Sequence, residues 1–308
     1  MSRTRTSHGL KPKSNKTANA APFDSLAPLG RSGQALKGRS STVFLGGGRI
    51  ASALAAGLRL SGFRERIVVY DRNPQKLRAL KRQSRVEAAR DLKSASEQAE
   101  MVVVAVRPGS VKNLLAEVAA CSVLPGLCVS LAAGVPLKNL RQALPQARWA
   151  RAMPSPVCRI GRGLTALCFD KTVKKNERQR VHEFFARVGQ VLEIPERQFD
   201  VFTATFSSTQ GYHALASLGK AARQAGLDHA TALAASAHAL ADGIAYWRES
   251  GVSLDELLHE AATPGGTAAA TIAAMDRAGY GRVIANGLKA GIAQAKKNAQ
   301  TERQTSPL

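Results

Sequence analysis

The chain has 308 residues, of which 44% are apolar, 21% charged and 5% aromatic. This apolar content is enough for a packed core and excludes a chain that is disordered throughout. The four cysteines show no CxxC spacing and no HExxH motif occurs, so we predict neither a disulfide scaffold nor a metal site.

The charge is strongly basic, with a net value of +22. Eight basic residues and one acid, Asp24, lie in residues 1–40, so the remainder still carries +15. A net charge of this size after residue 40 favours a polyanionic ligand or substrate. Nucleic-acid surfaces usually add aromatic side chains, and two Trp with four Tyr disfavour that partner.

Residues 1–40 are basic and rich in Ser, Thr and Ala, as in a transit peptide, which stays an alternative for this segment. Residues 1–40 lack an apolar core segment, so they do not read as a secretory signal, and we expect a disordered basic tail there. The longest uncharged stretch, 118–137, contains two Pro and two Gly, which excludes one membrane helix. We therefore expect a cytoplasmic protein with no membrane partner.

Strand and helix patterns alternate between residues 41 and 196. The predicted strands cover 42–45, 67–70, 101–106, 127–131, 148–153, 163–168 and 191–194. The predicted helices cover 50–60, 74–82, 111–120, 137–144 and 173–188. This alternation predicts an α/β domain with a Rossmann-like, parallel, doubly wound sheet over 41–196.

After Pro195 the pattern is helical throughout. The predicted helices cover 200–224, 229–249, 253–262, 267–278 and 281–299, and they are rich in alanine. Such helices leave little side-chain core within one small bundle, so a second copy is expected to complete it. We predict an all-α dimerisation and substrate domain over 197–299, followed by a tail over 300–308.

A glycine-rich loop of the form G-x-G-x-x-A follows the first strand and opens a helix. Gly46 permits the tight turn, Gly48 lets backbone approach a pyrophosphate, and Ala51 allows close packing of helix on strand. The helix start adds the positive end of a dipole. We predict a dinucleotide site that also includes Arg49 and Ile50, although Arg49 equally fits an exposed cation.

The end of the second strand bears on the choice of dinucleotide. Asp71 is placed to bind ribose hydroxyls, as in NAD sites. Arg72 and Asn73 favour the 2′-phosphate of NADP. We expect NADPH as the cofactor, with NADH possible.

Two further segments end strands on the side where open sheets hold ligands. The small residues after Ser130 would let a nicotinamide lie against backbone, and ordinary strand-ending turns are the alternative. The predicted cofactor contacts here are Ala105, Val106, Arg107, Pro108, Ala132, Ala133 and Gly134.

The segment from Thr263 to Thr267 reads Thr-Pro-Gly-Gly-Thr and opens a predicted helix. Free N–H groups at a helix start make a site for an anion such as a carboxylate. We therefore predict that Gly265, Gly266 and Thr267 bind the substrate, with helix capping alone as the alternative.

The order of these motifs is specific. The runs Phe44–Gly48, Ala105–Pro108, Ser130–Gly134, Arg151–Pro154, Gly161–Ala166 and Leu257–Thr267 occur in order and with family spacing over about residues 41–297. Together they resemble pyrroline-5-carboxylate reductase.

The resemblance implies an oxidoreductase of proline biosynthesis. Such enzymes reduce the cyclic imine Δ1-pyrroline-5-carboxylate to L-proline with hydride from NAD(P)H. It also implies a Rossmann domain, a helical domain interlocked in a homodimer or a larger ring of dimers, and a substrate at the dimer interface. By this resemblance Thr267 is the catalytic candidate, and Ser207, Ser208 and Thr209 line the pocket.

The substrate half departs from the family pattern. The family's Ser-Gly-Ser-Gly-Pro-Ala aligns with Phe206–Gly211, and its second threonine after Gly-Gly is Ala268 here. Two alternatives therefore stay open: a related reductase for another cyclic imine or keto acid, and an inactive dinucleotide-binding protein.

Overall fold

The computed structural model describes residues 41–97, 99–121 and 124–304, with side chains up to residue 298. The predicted tail at 1–40 lies outside the described residues. Residues 300–304 continue the last helix, so the tail predicted from residue 300 is wrong for these five residues, and 305–308 lie outside the described residues.

One eight-stranded sheet forms the first domain. Its strands are β1 Ser41–Leu45, β2 Arg66–Tyr70, β3 Glu87–Ala88, β4 Met101–Val104, β5 Leu127–Ser130, β6 Arg148–Pro154, β7 Gly163–Phe169 and β8 Gly189–Glu193. Their order in the sheet is β3-β2-β1-β4-β5-β6-β7-β8. The order reverses direction between β1 and β4, and this is where open sheets hold their ligands.

Six helices accompany the sheet: α1 Arg49–Leu60, α2 Pro74–Ser84, α3 Leu92–Glu97, α4 Val111–Ala119, α5 Leu137–Ala143 and α6 Lys175–Ala186. Apolar side chains fill both faces of the sheet, because consecutive residues of a strand point to opposite sides. Phe44 packs with α1 and α6 on one face, whereas Val43 packs with α4 and α5 on the other. The doubly wound fold is thereby confirmed.

The sheet departs from the predicted all-parallel arrangement at one pair. β6 and β7 run antiparallel, with Ala152 opposite Leu167. The connection between them contains only a short 3₁₀ turn, Pro156–Ile160. A parallel crossover needs a dozen or more residues, so this connection cannot return the chain to the starting edge.

The second domain is helical. Its helices are α7 Phe199–Thr205, α8 Ser208–Gln224, α9 His229–Ser250, α10 Leu254–Ala261, α11 Thr267–Arg277 and α12 Tyr280–Gln304. The single helix predicted over 200–224 is wrong. It is two helices, and Ser207 caps the second by accepting a hydrogen bond from the Thr209 N–H at 3.4 Å.

The long helix α12 folds back onto the first domain. It packs on α7 and on the 3₁₀ turn Pro108–Ser110 that follows β4. Gly134, with φ +76°, lies so close to the Ala295 carbonyl that an added Cβ would come within 2.1 Å of the oxygen. Gly134 therefore permits this contact between the domains.

A buried arginine ties β6 to the segment that joins the two domains. The Arg151 side chain is 2% exposed, and its Nη1 lies 3.3 Å from Oε1 of Glu196. Its Nη2 lies 3.6 Å from Asp200, and its guanidinium lies over the Phe199 ring, 4.3 Å from the centroid. Glu196 Oε1 also accepts the Leu137 N–H at 2.6 Å. The Arg151 guanidinium therefore links β6 to the segment between the two domains.

The cysteines are free thiols, as predicted. Cys128, Cys158 and Cys168 are buried, and burial raises the pKa of Cys158 and of Cys168 to about 12. Thiols that stay protonated are poor nucleophiles. Within the described residues, no cluster of His, Cys, Asp or Glu is arranged to hold a metal, and no helix is both long and apolar enough to span a bilayer.

Candidate active site

The glycine-rich loop lies at the carboxyl end of β1, beside β4. Gly46 has φ +111°, and an added Cβ would lie 2.9 Å from the Ala105 carbonyl carbon and oxygen. The Gly46 N–H donates to the Tyr70 carbonyl at 2.7 Å, which holds the loop against the end of β2. A side chain is therefore excluded at Gly46 both by conformation and by space.

The space around Gly48 is free of close neighbours, whereas that around Gly46 is filled. It is the N-cap of α1 with extended backbone, and an added Cβ would meet no atom closer than the Ala105 oxygen at 4.0 Å. No side chain caps α1 and its first turn contains no acid, so no side chain of the helix start occupies its first N–H groups. A diphosphate fits this surface, since helix starts bind anions through N–H groups and the dipole.

The remaining loop residues lie as the pattern predicts. Ala51 is 1% exposed and packs in the core against β1, so a larger residue would push α1 away from the sheet. Ile50 is partly buried against the same cluster, and Arg49 is exposed at the first helical position. The structure thus leaves Arg49 available to a phosphate.

Asp71 has a role in the loop itself. One carboxylate oxygen accepts the Gly47 N–H at 2.7 Å, and the other accepts the Asn73 N–H at 2.7 Å. A carboxylate offers about four acceptor sites, so room remains for a ribose hydroxyl. Asn73 caps α2 by accepting from the Gln75 and Lys76 N–H groups, which occupies its side-chain oxygen.

A cleft of about 180 Å³ opens between the ends of β2 and β4. It is lined by Gly46, Tyr70, Asp71, Arg72, Val106, Ser110, Asn113 and Leu114. Four of these residues were predicted as cofactor contacts. Tyr70, Ser110, Asn113 and Leu114 were missed, although a helix start beside a strand end is a sequence signal for such contacts.

Arg72 at the mouth of this cleft is paired with an acid. Its Nη2 donates to Oε1 of Glu117 on α4, while its side chain stays 70% exposed and that of Glu117 42%. The hydrogen bond to Glu117 raises the pKa of Arg72. Arg72, which was predicted to bind a 2′-phosphate, thus lies at the cleft but is already paired with a carboxylate.

The other predicted cofactor residues follow β4 and β5. Ala105 is buried beside Gly46, whereas Arg107 is exposed and precedes the turn that begins at Pro108. Beyond β5, Ala132 and Gly134 are buried and Ala133 is partly exposed. The structure therefore leaves Ala133 more accessible than its two neighbours, and Gly134 also serves the contact with α12.

The predicted anion site opens α11. The Gly266 N–H donates to the Thr263 carbonyl at 2.9 Å, which closes a turn, and Gly265 has φ +78°. Proline followed by glycine is the sequence of a type II turn, which needs a positive φ at the glycine. No side chain caps α11 and no acid lies in its first turn. Thr267 is exposed at the first helical position.

The second predicted substrate segment opens α8. Ser207 and Thr209 are exposed, and Ser208 is partly buried. In the described part of the chain, no hydrogen bond joins this segment to Thr263–Thr267. One chain therefore presents two polar helix starts without connecting them.

Apolar side chains are exposed over the helical domain. Large residues at least 40% exposed on α8 to α12 and their connections are Tyr212, Leu218, Leu227, Leu233, Ile244, Tyr246, Leu254, Leu258, Met275, Tyr280, Val283 and Ile284. Monomeric proteins rarely expose so extensive an apolar surface, and such surfaces mark interfaces.

Two family models match the chain. Residues 41–134 match a model described as NADP oxidoreductase coenzyme F420-dependent, and residues 196–298 match one described as pyrroline-5-carboxylate reductase dimerisation. The second match supports a homodimer, in agreement with the exposed apolar surface.

Individual relatives agree with these models. The chain is similar to pyrroline-5-carboxylate reductase of Mycobacterium leprae, with 30% identity over 88% of this chain and 99% of the relative. The structure resembles a pyrroline-5-carboxylate reductase from Coxiella burnetii, with TM-score 0.74, 26% identity and coverage of 85% and 99%. It shares its fold with the Plasmodium falciparum enzyme solved with NADP bound, with TM-score 0.74, 19% identity and coverage of 84% and 98%.

Proposed function

Because the chain belongs to the pyrroline-5-carboxylate reductase family, we propose that it reduces Δ1-pyrroline-5-carboxylate to L-proline with NAD(P)H. The reaction adds one hydride to the imine carbon and one proton to the imine nitrogen. One observation supports this proposal most strongly. The chain combines a dinucleotide site at the start of α1 with a second helix start, at Thr263–Thr267, whose N–H groups no side chain caps.

The first domain positions the hydride donor. The open N–H groups at the start of α1 hold the diphosphate, and Gly48 provides the space for it. Asp71 and Arg72 line the ribose end of the cleft. The bound dinucleotide supplies the hydride. We assign Ala133 and the backbone after β5 to the nicotinamide end, because this edge adjoins β4 in the sheet.

The second domain holds the substrate carboxylate. The N–H groups of Thr267 to Ala269 lie in the first turn of α11, where the helix dipole favours an anion, and the Thr267 hydroxyl adds a donor. We assign Ser207, Ser208 and Thr209 of the partner subunit to the opposite wall, because one chain does not hydrogen-bond the two segments together. The imine nitrogen either is already protonated in the substrate cation or takes its proton from solvent, so these residues need to orient the substrate rather than to donate a proton.

Replacing Thr267 by Ala tests the carboxylate site. The variant loses one hydroxyl donor to an anion, which is worth about 1.5 kcal/mol or more, so we expect the substrate KM to rise about tenfold. The KM for the dinucleotide should stay unchanged. Thr271→Ala is the matched control, because Thr271 lies one turn later and its hydroxyl donates to the Thr267 carbonyl. An unchanged substrate KM in Thr267→Ala would contradict this role.

The dimer is a second test, because the proposed site needs two chains. Sedimentation at micromolar concentration should give at least twice the 32.6 kDa chain mass. Val283→Glu on α12 places a charge on a side chain that is 65% exposed, and it should weaken the assembly. Leu60→Glu is the control, since Leu60 is 67% exposed on the first domain. A wild-type monomer would contradict the proposed site; a larger ring of dimers would extend it.

The cellular role is tested by complementation. Expression of the chain should restore growth of a proline auxotroph that lacks pyrroline-5-carboxylate reductase, and Thr267→Ala should restore it less well. We also propose a cytoplasmic location, which the free cysteines and the biosynthetic relatives support. If the expressed protein is soluble and binds the dinucleotide but does not restore growth, the substrate is a different cyclic imine or a keto acid. Ala268 and the altered Phe206–Gly211 segment would agree with that outcome.

A further inference from the structure

The pairing of Arg72 with Glu117 bears on which dinucleotide the chain prefers. We propose that Glu117 influences which dinucleotide the chain prefers. Its carboxylate pairs with Arg72 and thereby weakens binding of the 2′-phosphate to that side chain. The inference rests on the proposed use of a nicotinamide dinucleotide. It assigns a function to an α4 residue that lies outside the glycine loop and the β2 turn.

Glu117 contacts Arg72 from the other side of the cleft. Arg72 lines the ribose end of the cleft, next to Asp71 and Tyr70 at the end of β2. Glu117 lies 45 residues later, on the helix whose first turn supplies Ser110, Asn113 and Leu114 to the opposite wall. The Arg72–Glu117 pair therefore bridges the two walls of the cleft at its mouth.

Asp71 and Lys76 lie on the same surface as Arg72. Asp71 lies next to it in the chain, with both carboxylate oxygens held by backbone N–H groups. Lys76 is turned toward Asp71, with its Nζ 4.0 Å from Oδ2. A 2′-phosphate reaching Arg72 would therefore either displace the Glu117 carboxylate or lie beside it. Both arrangements cost binding free energy, because like charges repel and the existing ion pair is lost.

The effect should be selective and moderate. Glu117 and Arg72 are both exposed to solvent, where ion pairs are weak and screened. A ligand without the 2′-phosphate does not compete for Arg72. Removing the carboxylate charge should therefore change binding of phosphorylated ligands alone, whereas damage to the cleft would weaken all ligands.

The test compares Glu117→Gln with the wild type by calorimetric titration of 2′,5′-ADP and of 5′-ADP. We expect Glu117→Gln to bind 2′,5′-ADP roughly three- to fivefold more tightly, with unchanged affinity for 5′-ADP. The ratio of the NADH to the NADPH dissociation constant should rise by the same factor. Glu193→Gln is the control, because Glu193, on β8 at the far edge of the sheet, forms a similarly exposed pair with Arg178 of α6.

A double-variant cycle shows whether the effect acts through Arg72. Arg72→Gln should weaken 2′,5′-ADP binding, and adding Glu117→Gln to it should give a gain below twofold. An equal gain in both backgrounds, or an unchanged or weaker 2′,5′-ADP affinity in Glu117→Gln alone, would overturn the inference while leaving the proposed reaction intact. A wild-type protein that bound neither nucleotide would overturn both.

Discussion

Gly48→Val is expected to abolish useful dinucleotide binding while leaving the protein folded. The backbone at Gly48 is extended, and an added Cβ meets no atom closer than the Ala105 oxygen at 4.0 Å, so the fold tolerates a side chain. The valine methyl groups instead occupy the space in front of the α1 N–H groups. Losing one or two charge-assisted hydrogen bonds to phosphate costs about 3 kcal/mol, or roughly a hundredfold in the dissociation constant.

Gly46→Ala provides the contrast. Its φ of +111° and the 2.9 Å approach to the Ala105 carbonyl mean that even one methyl group strains the loop. We expect Gly46→Ala to lower the melting temperature, whereas Gly48→Val keeps it near that of the wild type. Fluorescence titration with NADPH and thermal melting check both expectations. Wild-type affinity in Gly48→Val would show that the diphosphate does not lie at the start of α1.

Arg151→Ala is expected to lower the free energy of unfolding by about 3 kcal/mol or more. The side chain is buried, and its loss removes the partner of Glu196 and Asp200 and the cation over Phe199. Glu196 also holds the start of α5 through the Leu137 N–H, so the change affects β6, α5 and the segment joining the domains together. Urea denaturation at one fixed protein concentration measures the effect, since a dimer's stability depends on concentration.

Arg178→Ala is the matched control for this prediction. Arg178 also pairs with a glutamate and lies over a phenylalanine, Phe169, at 4.8 Å from the ring centroid, but its side chain is 45% exposed. Exposed ion pairs are worth at most about 1 kcal/mol, so its loss should cost far less. Equal effects of the two variants would mean that burial of Arg151 does not matter for stability.

Much of this fold follows from sequence pattern because the pattern has a local cause. The buried strands β1, β4 and β5 are short apolar runs that end in turn residues, and the glycine loop sits where strand gives way to helix. The two-residue strand β3 was not predicted, because it pairs through backbone and shows no apolar run. The antiparallel pairing of β7 was not predicted either, although the short connection between the two predicted strands already excluded a parallel crossover.

The site divides in the same way. Gly46, Gly48 and Ala51 are recognisable because each meets a local steric demand. Glu117 is not recognisable, because its pairing with Arg72 spans 45 residues and needs the sheet to bring β2 and α4 together. Arg151 in β6 likewise looks like an exposed strand residue until Glu196 and Phe199 close over it. The start of α8 at Ser207 was missed, although serine favours a helix N-cap over a helix interior.

The fold, the two helix-start sites and the relatives together indicate that this chain reduces a pyrroline carboxylate with a nicotinamide dinucleotide. The most direct test follows the loss of reduced-nicotinamide absorbance by the purified protein with Δ1-pyrroline-5-carboxylate, and identifies the product by chromatography. We expect saturable turnover with NADPH or NADH and formation of L-proline in equal amount. Absence of turnover by a dimeric protein that binds either dinucleotide would contradict the claim and direct the search to other cyclic imines.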